Sequence, residues 1–383
     1  MLHRTPRICC ILALSLPLFT ACEDADEAFS YTNLFGKVTP EEQEMSPFTA
    51  VKSLEDVGLW PSDLDLYGDY AYVVDSGNNA ITRISLSALT VEKNYADLGK
   101  DASPYAVHAS NNALYVALQG NGTIAQIPYS DPKAVTTVTE GLIAPTAVIT
   151  HGENIIIADS EYDYATPQNT KGSIHFKTPQ GETVLPSSSP NPAFLDIVTI
   201  EGKDYLLSIN AGVIDFVNNT PPEKSCIDVW PLEDVSSLTK PVSYICIPAA
   251  SLGRTAVIGD NLYAGDAMTP IYYIIPLSKL LSATPKYSYR TTDPELTKAT
   301  ITPVNVEDTL TMIDFSQDTI SWIDSYYLMT YSISGATENP VKGPIDIVYD
   351  APRKHILILN SLSETVDVLS YEALFDVLSY EAL

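Results

Sequence analysis

The segment Ala71-Tyr72-Val73-Val74-Asp75-Ser76-Gly77-Asn78-Asn79-Ala80-Ile81-Thr82-Arg83-Ile84-Ser85 reads as a strand, a polar turn and a second strand. Short apolar runs bounded by turn-forming residues mark it as β, and no helical period competes. The unit recurs. Pro61, Pro104 and Pro145 each lead through one apolar run into a second, which reaches Asp75, Leu118 and Asp159 fourteen residues after the proline. Looser copies follow Pro192, Thr255, Pro303 and Pro344. A small sheet of this kind cannot bury both faces alone, so copies must stack on one another.

Seven units at spacings of roughly 40 to 60 residues suit four-stranded blades. The expected fold is therefore all-β, a seven-bladed β-propeller of four-stranded antiparallel blades. Each proline opens an innermost strand, a hairpin leads to the second, and a third follows, as at residues 81–86 or 123–128. A fourth-strand element recurs at residues 95–99 and 138–141, just before Pro104 and Pro145. Residues 51–58 match that element but follow no first three strands, while the last unit ends near its third strand, residues 365–374. The N-terminal strand is thus expected to complete the last blade, which removes an exposed sheet edge.

The domain organisation follows. Residues 1–21 form a signal peptide: Arg4 and Arg7 precede an apolar run from Ile8 to Phe19 that is too short to span a bilayer. Residues 22–46 form an acidic tether with few large apolar side chains to offset ordering entropy. The propeller occupies residues 47–374. Residues 375–383 are a tail in which residues 376–383 repeat residues 367–374, Asp-Val-Leu-Ser-Tyr-Glu-Ala-Leu, verbatim. The first copy aligns with residues 80–89 and has a place in the fold. The second is either a plain duplication or a strand competing for the edge of the last blade.

The chain carries a formal charge of −27, and loss of Arg4 and Arg7 with the leader makes it two more negative. That balance excludes nucleic acid and anionic lipid surfaces as partners. It suits either a solvated acidic surface or a cationic partner. Cys9 and Cys10 lie in the leader, which leaves Cys226 and Cys246 for the mature domain besides Cys22. In an exported protein such a pair forms a disulfide, contributing about 3 kcal/mol for a loop of this length; two buried thiols are the other reading.

Three resemblances carry further expectations. Phe19-Thr20-Ala21-Cys22 resembles the lipobox of bacterial lipoproteins, with Phe in place of the usual Leu. It implies diacylglycerol on Cys22, an outer-membrane or cell-surface location, and membrane attachment through the lipid anchor only. The alternative is an ordinary secreted protein cut nearby. Residues 70–85 resemble an NHL repeat, and the Leu-Tyr-Val units resemble YVTN-type surface propellers. Proteins of this sort include sugar-lactonase-like enzymes and lyases as well as binding scaffolds, and fold alone does not choose among them.

The side chains favour the scaffold. No Cys-x-x-Cys, Gly-x-Ser-x-Gly, phosphate-loop or EF-hand pattern occurs, and the mature chain has only His108, His151, His175 and His355. His108 and His151 sit near corresponding turns, either as surface residues or as a shared acid–base or metal pair. Asp75, Asp159, Asp266 and Asp314 end the second strand of four units. They either ring one face, where they would bind Ca²⁺ or a cationic partner, or accept hydrogen bonds within local turns. Tyr162 and Tyr164, in the loop of residues 160–170, form a candidate aromatic contact for a sugar or protein. The reading is a non-catalytic, lipid-anchored envelope propeller without a cofactor that binds a protein or glycan. The alternative is a metal-dependent hydrolase or lyase of the sugar-lactonase-like type, for which no carboxylate and amide ligand set can be assembled from the sequence.

Overall fold

Seven four-stranded antiparallel sheets form a closed β-propeller in the computed structural model. It describes residues 47–162, 171–215, 220–223, 225–248, 250–267, 269, 271–282, 286–291, 301–314, 318–324, 327–332 and 343–372. The innermost strands of blades 1 to 7 are Pro61–Tyr67, Pro104–Ala109, Pro145–His151, Pro192–Ile200, Leu252–Ile258, Ile301–Val306 and Pro344–Asp350. Five begin with proline, which has no amide hydrogen to donate and so belongs at the first residue of a strand. In every blade but the sixth the register shifts just after this first residue. Such a bulge re-aims the side chains that follow.

Each junction between neighbouring blades holds its own apolar cluster. Blades 1 and 2 meet through Val74, Ile81, Leu114 and Val116, and blades 7 and 1 through Leu54, Leu64, Leu359 and Val366. Equivalent clusters fill the other five junctions. Period-2 alternation explains this, because each sheet is buried on both faces and its strands are apolar on both.

The closing strand is Phe48–Leu54, which pairs antiparallel with Thr365–Tyr371 in blade 7. The expected element at residues 51–58 therefore lies three residues earlier and stops at Leu54. Phe48 sets the earlier start: it packs edge-on against Trp322 at 5.1 Å and is nearly fully buried. Blade 4 differs from the rest in a small added hairpin, Val213–Asp215 with Thr220–Glu223.

Candidate functional site

The innermost strands surround a central cavity of about 560 Å³, whose lining comes from the strand starts and from Ala267 in a loop on the same face. The bulges place charged side chains here. Counting two residues beyond the first position of each innermost strand gives Asp63, Ala106, Ala147, Phe194, Arg254, Pro303 and Asp346. Arg254, in blade 5, crosses the channel to both carboxylates on the far side. Its Nη2 pairs with Asp63 of blade 1 and lies 3.1 Å from Asp346 Oδ2 of blade 7. Its guanidinium also lies 5.4 Å from the Phe194 ring centroid.

Both carboxylates are buried, and each accepts a backbone amide from the next blade. Leu64 N donates to Asp346 Oδ2 at 3.0 Å, and Val107 N donates to Asp63 Oδ2 at 2.7 Å. Burial, and then the neighbouring Asp63, hold the Asp346 carboxyl well above the ordinary range, against the pull of Arg254. Burial likewise raises Asp196.

The same kind of cross-link occurs at every junction around the channel. Ala109 N donates to Asp65 Oδ2 (2.8 Å), and His108 Nε2 lies 3.0 Å from Thr150 Oγ1. Thr146 Oγ1 donates to the Pro192 carbonyl (2.6 Å), and Thr255 Oγ1 to Asp196 Oδ2 (2.9 Å). Asn305 Nδ2 donates to the Val257 carbonyl (2.9 Å), and Thr302 Oγ1 to that of Ile345 (3.5 Å). All seven junctions are thus joined by side-chain hydrogen bonds between innermost strands. The channel chemistry is committed to holding the ring together.

The strand-end carboxylates work locally. Asp75 Oδ1 accepts from Leu59 N (2.9 Å) and Asn78 N (3.1 Å), which fixes the chain leading into blade 1. Gly58 fits beside it only without a side chain: its φ is +155°, and a Cβ would lie 2.8 Å from Asp75 Cγ. Asp159 accepts from Ile143 N, Ala144 N and Glu161 N at 2.8–3.1 Å. Asp266 accepts from Thr269 N at 3.0 Å and from the Tyr273 hydroxyl at 3.2 Å. Asp314 is buried at the matching strand end. Among the described residues, no three His, Cys, Asp or Glu side chains are grouped so that they could hold a metal ion.

His108 sits just before the turn between the first two strands of blade 2, as expected, and lines the channel, with Nδ1 3.3 Å from Asp65 Oδ2. His151 pairs with Asp204 at 3.2 Å in blade 4, so the two histidines form no shared site. Cys226 and Cys246 face each other on the third and fourth strands of blade 4 and are joined by a disulfide. Tyr162 is partly buried beside Ser160, which accepts from its amide. Cys22, Tyr164 and the second octapeptide lie outside the described residues.

One feature of this face was not legible in advance. Trp60, Tyr105 and Ile143, at the strand starts of blades 1 to 3, and Leu362, in the matching loop of blade 7, are exposed by 69, 42, 55 and 68 %. They stand on the face of the propeller where the innermost strands begin, and Tyr105 also lines the cavity.

No protein-family model matches the chain, and no curated protein does. Solved structures do. Hydrazine synthase from Kuenenia stuttgartiensis aligns over 84 % of this chain and 98 % of that one, with 12 % identity and a TM-score of 0.64. The β-propeller domain of Cps50 (Swd1) from Myceliophteria thermophila covers 84 % and 100 %, with 11 % identity and a TM-score of 0.61. The likeness is one of fold. A streptogramin B lyase also matches, at 12 % identity and a TM-score of 0.58 over 85 % of this chain and 98 % of its own. At such identities the shared propeller carries no chemistry from one chain to another.

Proposed function

We propose that this chain is a non-catalytic binding module of the bacterial envelope, tethered through lipid on Cys22, that engages a protein or glycan with the face where its innermost strands begin. The observation that carries the reading is the division of labour on that face. The channel carboxylates and Arg254 are bonded to one another or to neighbouring blades, whereas Trp60, Tyr105, Ile143 and Leu362 stand exposed on the face where the innermost strands begin. Exposed aromatic anchors such as Trp60 and Tyr105 dominate recognition energies, and neighbouring exposed apolar residues mark interaction surfaces. Arg254 stands between Asp63 and Asp346, where a bound cation would otherwise neutralise them, and this weighs against the metal-dependent hydrolase.

The test uses the full mature chain against an array of envelope glycans and against cross-linked intact cells. Trp60→Ala with Leu362→Ser should weaken binding at least about tenfold without changing thermal stability, the range expected for central anchors. Metal-dependent turnover of a lactone or ester by the purified protein would overturn the reading.

A further inference from the structure

Leu362, Trp60, Tyr105 and Ile143 stand on four consecutive blades of the ring, blades 7, 1, 2 and 3. The segments that carry them are tied to one another. Val57 N donates to the Glu364 carbonyl at 3.2 Å, which joins the lead into blade 1 to the loop of Leu362. Ser62 Oγ donates to the Tyr105 carbonyl at 2.7 Å, and Leu142 N donates to the Gly122 carbonyl at 3.0 Å, which carries the arc on to blades 2 and 3. Asp75 and Asp159 hold the amides of Leu59 and Ile143 in turn. Anchors fixed in this way before contact lose little freedom on binding.

The charge around this arc is one-sided. Residues 55–60, 97–105, 140–144 and 361–364, which carry it, hold the six carboxylates of Glu55, Asp56, Asp97, Asp101, Glu140 and Glu364 against Lys100 alone. On the opposite face the turns of the same blades are nearly balanced. Residues 67–70, 85–90, 109–113, 128–136, 151–154, 178–181 and 350–355 hold four carboxylates against three Lys or Arg side chains. Arg353 there pairs with both Asp350 and Asp69. The chain also enters and leaves the ring on that opposite face. Phe48 stands opposite Tyr371, at the far end of Thr365–Tyr371 from Leu362, and Glu372 N donates to the Pro47 carbonyl at 2.9 Å.

We propose that this arc docks a protein partner through a basic, apolar segment of that partner, rather than a glycan. The inference rests on the binding reading above and narrows its ligand. Exposed aromatic and aliphatic side chains supply the desolvated part of a protein interface. The carboxylates around them complement Lys or Arg on the partner, speed its approach and repel acidic surfaces. An anionic polysaccharide would meet the same repulsion. A neutral sugar would stack on Trp60 and Tyr105 but would leave Ile143 and Leu362 without a match.

The test is selection of a random peptide library on the full mature chain, set beside an array of neutral and anionic glycans. Selected peptides should combine Lys or Arg with aromatic or aliphatic residues. They should bind at least about tenfold more weakly to Trp60→Ala with Leu362→Ser. Asp101→Asn with Glu140→Gln and Glu364→Gln should slow their association about tenfold at low salt. On the wild type itself the association rate should fall by a similar factor as salt is raised to about 1 M. Selection of neutral or acidic peptides, or association indifferent to salt, would overturn the proposal. Glycan binding that is lost in Trp60→Ala with Leu362→Ser would overturn the choice of partner and leave the binding reading standing. No ligand of either class that depends on Trp60 and Leu362 would overturn both.

Discussion

Asp346 of blade 7 accepts the Leu64 amide of blade 1 at 3.0 Å while the same carboxylate oxygen lies 3.1 Å from Arg254 of blade 5. The end of the chain is thereby tied to its beginning and braced from across the channel. Removing the guanidinium should leave two buried carboxylates without a countercharge. Arg254→Met is expected to destabilise by about 2–3 kcal/mol, below the usual cost for a fully buried pair because the side chain is 32 % exposed. Adding Asp346→Asn should recover part of the loss. Denaturant unfolding of the single and double variants checks this, and additive losses would contradict it.

Asp367 is completely buried in blade 7, and burial raises its pKa above the ordinary carboxylate range, with Ser53 and Asn360 opposing. Its Oδ1 and the Asn360 Oδ1 are both buried acceptors without a donor, which a proton on Asp367 would help to satisfy. For an acid raised on folding, the stabilisation is full below the unfolded pKa of about 4 and is lost as pH rises through the folded value. Stability should therefore fall as pH rises above about 4, and Asp367→Asn should flatten that slope. Thermal melts across this pH range check it; an unchanged slope in the variant would contradict it.

Cys226 and Cys246 are separated by 20 residues and tie the outer strand of blade 4 to its neighbour. Cys246→Ser is expected to cost about 3 kcal/mol by freeing the unfolded chain. Hydrogen exchange should show the loss concentrated in Ser243–Ile247 and in the adjoining junction with blade 5, which Ile245 and Ile247 help to fill.

Asp75 holds the amides of Leu59 and Asn78. Asp75→Ala should cost about 1–3 kcal/mol, the range for leaving buried donors unpaired. Calorimetry with Ca²⁺ should give the same trace for the wild type and the variant. A calcium signal lost on substitution would restore a ligand role to this position.

How much of this was visible beforehand depends on the range of the interaction. The blades were readable because proline, alternation and turn residues act within a few positions, as in Pro61 to Asp75. The carboxylates at strand ends were also local, since Asp75 and Asn78 are three residues apart. The channel was not readable in the same way. Arg254 meets Asp63 across 191 residues and Asp346 across 92, and blade 5 begins with Leu252 rather than proline, so no motif marks its position. A signal did exist: the second place after each strand start holds Asp63, Arg254 and Asp346 once the seven blades are aligned. The exposed apolar residues had no such signal, because Trp60 and Leu362 look like ordinary apolar residues until the ring sets them on one face.

The account rests on the chain's beginning being a working part of its last blade, and amide hydrogen exchange on residues 48–54 tests this most directly. The paired amides of Phe48–Leu54 should exchange as slowly as those of Thr365–Tyr371, and the two strands should open together as one unit. Rapid exchange of residues 48–54 while Thr365–Tyr371 stays protected would contradict a closed ring.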